Sequence, residues 1–505
     1  MAGDGAQVPG PAPKQRLPPK RSTTISSPLR MAILPKKLRR SPGTPPAYPL
    51  KVMTSMRITL LCALAIFLGT SVLAQSGPDL SLSDAIQLGL KNNYQIRLAA
   101  NDLEVARSND DYALTGKRPT ITLGLSPGVS YRNNTNPASI VSQSSTFSYN
   151  VSPNANLNWT LFNGGRVEIA KDQLSTLADL SAGQLQLQVE NSIQSIIQAY
   201  YNAVVQREQV DVLQRVLDLS RDQIEYQEVR QEFGQGGSFD ELQARDAYLT
   251  DSTSLVVQET TYRNALRNLL QLMGEEDLSQ DFNLTTELTF TPEAYDRQAL
   301  EDQMQRTNSQ LRNLQINREL ARINTQLIET EYKPTVSINA GAAYDINIQT
   351  GSQTFDFGGD QPTREQELPG VAARTLSGNL GIQANYLLFD GGARNVRTQT
   401  AKLQEITAQL NYQSTQQQLS AALQNSLQLY ENQVQIVRIT EELINNAEQN
   451  LTVAEERFRG GRINSFDYRA IQVNYINAQF RLLNALLNLK NTETELLRLT
   501  GQIVD

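Results

Sequence analysis

The commonest acid–base, nucleophilic and metal chemistry uses a histidine, a thiolate or a converging pair of carboxylates. This 505-residue chain contains no histidine and a single cysteine, Cys62. His-based triads, imidazole general bases and metal sites built on His or Cys are therefore excluded. The 52 Asp and Glu residues remain as reactive groups. They are scattered evenly, and no paired motif stands out as a general acid facing a general base. The chain calls for no catalytic residue, no metal and no cofactor, and it reads as a non-enzyme.

Charge is divided along the chain. Residues 1–74 hold eleven Lys and Arg against Asp4 alone, and the remainder carries a net charge of −17. A body this acidic repels phosphate backbones, so no nucleic-acid partner is expected.

What the spacing does carry is a repeat. "LNWTLFNGGR" (157–166) returns as "ANYLLFDGGAR" (384–394), with Phe162 and Phe389 227 residues apart. "SFD" at Ser238–Asp240 recurs 227 residues on at Ser465–Asp467, and Gly274 recurs as Gly501. A unit this long is a duplicated structural unit rather than a solenoid module.

The elements that position these motifs follow from periodicity. Residues 1–55 are Pro-rich and basic, and form either a disordered extension or the product of a start placed upstream of Met53 or Met56. Residues 56–74 read as a secretory signal: Arg57, a short apolar run and a small-residue ending at Ala74. The run is shorter than the ~20 residues a membrane helix requires. Cys62 follows Leu60-Leu61 rather than a small residue, which is not an acylation site.

The first repeat (75–278) opens with a helix in which Ser81 or Ser83 can cap, closed by Pro119. Strands over 119–133 and 146–162 follow, then a proline-free helix over 165–232 and another over 239–274. A linker covers 279–292. The second repeat (293–505) has the same order: a helix from Glu293 to Tyr332 closed by Pro334, strands at 334–348 and 375–390, and helices at 392–458 and 465–500. Helices of nearly seventy residues reach ~100 Å and imply coiled-coil packing. Polar tip loops are expected at Asn133–Ser145 and Gln349–Arg374.

The strands alternate. Val336, Ile338, Ala340, Ala342, Tyr344 and Ile346 lie opposite Ser337, Asn339, Gly341, Ala343, Asp345 and Asn347. One apolar and one small or polar face suits a lipid-spanning β-barrel. A soluble sheet with one wet face shows the same alternation, and the strands alone do not decide. The secretion signal and the long connecting helices favour the membrane.

With these motifs in order and duplicated, the chain resembles the TolC family of outer-membrane channel proteins from about Leu80 to Ile503. The residues carrying the likeness are "LSLSDAIQLGLKNN", "LFNGGR", "LFDGGAR", Pro119, Pro334 and the Gly-rich turns before each "SFD". The resemblance implies an α+β membrane protein: a homotrimer whose protomers each give four strands to a twelve-stranded outer-membrane β-barrel, continuous with a long coiled-coil α-helical barrel in the periplasm. It implies an exit duct of a tripartite efflux pump or type I secretion system, conducting cargo from an inner-membrane transporter and a periplasmic adaptor protein. Four strands cannot close a barrel alone, and open edges are not tolerated in lipid.

By the family's layout, the periplasmic tip, adaptor-docking surface and gate comprise Phe233, Gly236, Gly237, Ser238, Phe458, Gly460, Gly461 and Arg462. The glycines also fit the simpler need of a tight turn for positive φ. An acidic tunnel ring would fall on Glu448, Glu455 and Glu456, which equally suit a solvated surface. The barrel-to-tunnel joint would be Phe162, Gly164, Gly165, Phe389, Gly391 and Gly392. Trp159 and Tyr386 would join an aromatic girdle in outer-membrane lipid, and equally suit buried packing. The competing reading is a non-conducting coiled-coil envelope scaffold or adhesin, which has no use for paired lipid-facing and water-facing stripes.

Overall fold

The computed structural model describes residues 77–504. The expected N-terminal extension and signal segment, with Cys62, lie outside the described residues. In chain order the elements are β1 (Asp79–Leu80), α1 (Leu82–Asn92), α2 (Tyr94–Asn109), β2 (Thr120–Thr135), β3 (Val141–Asn163), α3 (Arg166–Glu232), α4 (Ser238–Met273) and β4 (Asn283–Leu284). The second repeat supplies α5 (Arg297–Thr307), α6 (Ser309–Glu329), β5 (Thr335–Phe355), β6 (Arg364–Asn385), α7 (Ala393–Arg459) and α8 (Ser465–Leu499).

The two long helices, α3 and α7, are 67 residues each, or ~100 Å at 1.5 Å per residue. Each packs against two shorter helices stacked end to end: α3 against α2 and α4, α7 against α6 and α8. Across the repeats, α3 also contacts α6 and α8. The core is duplicated as well. Ile196, Tyr200, Leu269, Leu270 and Met273 form one apolar cluster; Leu423, Leu427, Tyr430, Leu489 and Leu496 form its counterpart.

The sequence reading expects one helix at the start of each repeat, and the structure breaks both. Asn93 leaves the helical region, and its Oδ1 accepts from the N–H of Gln95 (2.8 Å) and Ile96 (3.3 Å). Its Nδ2 donates to the Leu272 carbonyl at 2.7 Å. Asn308 repeats the arrangement, accepting from Leu311 N–H and donating to the Leu499 carbonyl, both at 3.0 Å. A short amide competes with the helix for backbone groups and so restarts it at a new angle. Ser81 is the first cap, in a capping box with Asp84.

The four long strands form one antiparallel sheet in the order β2-β3-β5-β6. They run further than apolar alternation suggests. Most of the expected loop Gln349–Arg374 is strand, with Ser352 opposite Glu367 and Thr354 opposite Glu365. Ladder hydrogen bonds need no apolar face where both faces are wet, so the polar ends of the hairpin carry no alternation to read. At the other end β6 stops at Asn385, short of the expected 390. The linker is not featureless either: β4 pairs in parallel with β1, Leu80 opposite Leu284.

Candidate channel wall and tip

Among the described residues, no helix packs along either face of the large sheet. Ile121, Leu123, Leu125, Leu376, Leu380 and Ile382 all point from one face and are bare, Leu123 at 84% and Leu376 at 79% exposure. The other face is hydroxyl- and amide-rich, with Asn154, Asn156 and Asn158 on β3 beside Gly341 and Asn339 on β5. β2 and β6 each leave one edge without a strand partner among the described residues. Among the described residues, no helix is long and apolar enough to cross a membrane.

The joint motif has a conformational cause. Gly164 and Gly165 take φ 73° and 88°, and Gly391 and Gly392 take 70° and 90°. Two successive left-handed residues are strained for any side chain and open to glycine. The residue before them starts the helix: Asn163 Oδ1 accepts from Val167 N–H at 3.3 Å, and Asp390 accepts from Arg394 N–H at 2.8 Å and Gly392 N–H at 3.1 Å. The Arg394 backbone bond is the main force holding the Asp390 carboxyl below the usual range, against partial desolvation. Arg394 itself is buried, paired with Asp390 at 3.2 Å and stacked over Tyr332 at 4.9 Å.

Phe162 and Phe389, each two residues before its own glycine pair, are exposed. A register shift at Leu161 brings Phe162 opposite Val336, on the apolar face with Trp159. Trp159 Nε1 donates to the Lys117 carbonyl at 3.0 Å, and Tyr386 is exposed just past β6. The far end of the apolar face carries aromatics that sequence reading passed over: Tyr131 and Phe147, with ring centroids 4.7 Å apart, and Tyr149. They lie ten to twelve residues from Trp159 along β3, a height of roughly 25–30 Å on a tilted strand. Their alternation with Ser148 and Asn150 was the available signal.

At the opposite end, both helical hairpins turn on one left-handed glycine. These are Gly234 and Gly461, both at φ 66°. The expectation of positive φ at Gly236, Gly237 and Gly460 is corrected: Gly237 has φ −96° and Gly460 −81°, and Gly236 is not left-handed. In each turn the residue after the glycine bonds back to close the helix, Gln235 N–H to Arg230 O and Arg462 N–H to Arg457 O, both 2.8 Å. One positive φ is all this closure requires. Ser238 and Ser465 begin the return helices, with Asp240 and Asp467 in their first turns facing the positive end of the dipole.

The second turn is bound to the first hairpin. Phe458 stacks on Tyr468 (4.7 Å) and meets Tyr226 (5.3 Å), whose hydroxyl donates to the Arg459 carbonyl at 3.0 Å. These rings, with Gln223, Val229 and Glu455, line a groove of about 370 Å³. Gln227 Nε2 donates to Ser465 Oγ at 3.2 Å. Deeper in, Arg469 clamps the buried Asp251 carboxylate through both oxygens (2.7 and 2.5 Å), and Ser220 donates to it at 2.5 Å. The three acidic candidates divide: Glu448 and Glu456 are exposed, whereas Glu455 is paired with Arg459 at 2.6 Å.

The fold is that of solved outer-membrane channels. Over 83% of this chain it superposes on 85% of the Campylobacter jejuni CmeC outer membrane channel, with TM-score 0.66 and 16% identity. It matches 96% of the Vibrio cholerae outer membrane protein VceC (TM-score 0.61, 16% identity, 83% of this chain). It likewise matches 88% of the open state of the Neisseria gonorrhoeae MtrE outer membrane channel (TM-score 0.61, 18% identity, 83% of this chain). No curated protein sequence matches the chain. The family model described as "Outer membrane efflux protein" matches residues 85–275 and 300–502, covering both repeats. The chain therefore belongs to the outer membrane efflux protein family, and is an outer-membrane transport conduit with a periplasmic helical part, not an enzyme.

Proposed function

We propose that the protein is the passive exit duct of a tripartite efflux pump or type I secretion system, working as a homotrimer. Three four-stranded sheets close a twelve-stranded barrel in outer-membrane lipid, and three sets of long helices form the periplasmic tunnel. The observation that carries this reading is the sheet with a bare apolar face and two open edges. The bare face is untenable in water and suited to lipid, while the open edges are untenable in lipid for a single copy and are removed by closure with further copies. The non-conducting scaffold leaves the apolar face without a purpose.

In this reading Trp159 and Tyr386 sit at the periplasmic membrane interface, and Tyr131, Phe147 and Tyr149 at the outer one. The double-glycine joints are where each half leaves the barrel for the tunnel wall. The turns around Phe233–Ser238 and Phe458–Arg462 form the tip, where a periplasmic adaptor docks and the tunnel closes at rest. An inner-membrane transporter hands cargo to the adaptor side, and an outward swing of α7 and α8 opens the gate. Glu448 and Glu456, with Glu455 partly neutralised by Arg459, are the candidate acidic ring. The test is heat-modifiable trimer migration together with single-channel conductance of the purified protein. A detergent-soluble monomer without conductance defeats the proposal.

A further inference from the structure

The polar face of the sheet is almost free of charge. Between Arg132, near the hairpin end, and the joint, Asp345 is the only ionisable side chain on it among the described residues. Arg132 shares its level with Gly351 of β5, six residues or ~20 Å beyond Asp345. Arg374, the nearest cation by register, is opposite Ile346 and so lies on the apolar face. Asp345 accepts a hydrogen bond from Ser152 Oγ at 2.5 Å and stands opposite Thr375, while Ser126 stands opposite Ser152. One level of the sheet thus carries Ser126, Ser152, Asp345 and Thr375: three hydroxyls and one carboxylate.

We infer that Asp345 is a charge filter within the barrel itself, selecting for cations and for positively charged groups on cargo. The inference rests on the trimeric pore proposed above, in which three copies face one water-filled lumen. A hydroxyl donor steadies a carboxylate without cancelling its charge, unlike the arginine paired with Glu455 at the tip. Neighbouring strands offer only Ser, Thr, Asn, Gly and Ala at nearby levels of this face, so no cation among the described residues of this face neutralises it. A ring of like charges in a narrow polar passage enriches counter-ions and depletes co-ions. The half-buried side chain remains open to the polar face.

The experiment is a reversal-potential measurement on purified trimers in planar bilayers under a KCl gradient. D345N is expected to lower the K⁺ over Cl⁻ permeability ratio by about twofold or more, and D345E to keep the wild-type ratio. An unchanged ratio in D345N overturns the inference, as does a D345E channel that loses selectivity equally, because the Ser152 contact and not charge then matters. Should D345N fail to form heat-resistant trimers, D345C serves instead. The only other cysteine, Cys62, lies in the signal segment. A sulfonate thiol reagent on D345C should restore cation preference and an ammonium reagent should reverse it, and indifference to reagent charge sinks the idea. A wild-type protein without channel events would defeat the pore reading, a result distinct from any of these.

Discussion

The two helical hairpins end in turns of the same backbone and opposite packing. Gly234 and Gly461 share one φ and close the same pair of bonds. The first turn carries its aromatic at Phe233, one residue beyond the helix and 76% exposed. The second carries it at Phe458, in the last turn of α7 and 4% exposed, between Tyr226 and Tyr468. Gly237 begins α4 without a side-chain cap, whereas Asn464 caps α8 through Asp467 N–H at 2.9 Å. Duplication therefore preserved the glycine that the backbone requires, and the side chains around it diverged. The second turn is held by α3 of the first hairpin, and the first turn is held by little beyond its own helices.

The largest expected contrast is between the two phenylalanines. F458A removes a buried ring and should destabilise the second turn by about 3–5 kcal/mol, whereas F233A should stay within about 0.5 kcal/mol. Hydrogen exchange of the purified protein over residues 455–468 and 228–241 would read both. Equal protection losses in the two variants would break the comparison.

Next comes the buried ion pair. R469M leaves the Asp251 carboxylate buried without its partner, at a cost of about 3 kcal/mol, the lower end for a pair whose arginine is about one-fifth exposed. The double variant D251L/R469M should recover most of that loss, since an apolar pair needs no compensation. The repeat-equivalent of Arg469 is Leu242, which is exposed, and L242A should move exchange little. Failure of the double variant to recover would mean that Ser220 or the surrounding packing, not the charge pair, holds α8.

Glycine substitutions sharpen the other half of the comparison. Neither Gly234 nor Gly461 has an atom near where a Cβ would stand, so alanine meets only the left-handed backbone. Each of G234A and G461A should cost about 1 kcal/mol, and the two should match. A marked difference, read in the same exchange experiment, would show that the shared backbone is not shared energetically.

Much of this architecture was legible because it is local. The duplicated glycines, the period-two strands and the proline-free helices each announce themselves within a few residues. The Glu455–Arg459 pair was equally legible as an i,i+4 spacing, and reading Glu455 as a free tunnel charge overlooked it. What could not be read depends on distant partners. Asn93 and Asn308 look like surface amides in a helical pattern until the carbonyls of Leu272 and Leu499, 179 and 191 residues away, are brought to them. Asp251 and Arg469, 218 residues apart, carry no sequence sign of their pairing. The left-handed glycine of the first turn is hidden in the sequence because the adjacent "GG" pair, two residues on, offers the same freedom with nothing to mark which glycine closes the helix.

The smallest expected effect tests whether α3 binds the second hairpin along its length or only at the tip. Far from the turn, Gln194 of α3 donates to Glu495 of α8 at 2.7 Å, and Arg498 grips the same carboxylate at 2.7 and 2.9 Å. Burial pushes the Glu495 carboxyl up, but the Arg498 bonds and charge, with Gln194, outweigh it and hold the group below its ordinary 4.5. A carboxyl depressed in the folded state adds stability that is fully present above its unfolded value and is lost as pH falls through the folded one. E495Q should therefore cost about 0.5 kcal/mol at neutral pH, within the range for a partly screened pair. That cost should shrink as pH falls from the ordinary carboxyl range through the lower folded-state value, where the wild-type carboxyl also becomes neutral. The repeat-equivalents, Asn268 and Gln271 on α4, do not titrate, so N268A should show a difference from wild type that is flat with pH. Exchange of residues 485–499 across pH 3–7 would give both curves. A flat curve for E495Q would remove Glu495 from the hold of α3 on the second hairpin, leaving Tyr226, Gln227 and the packing of Val216 against Ile444 and Tyr475.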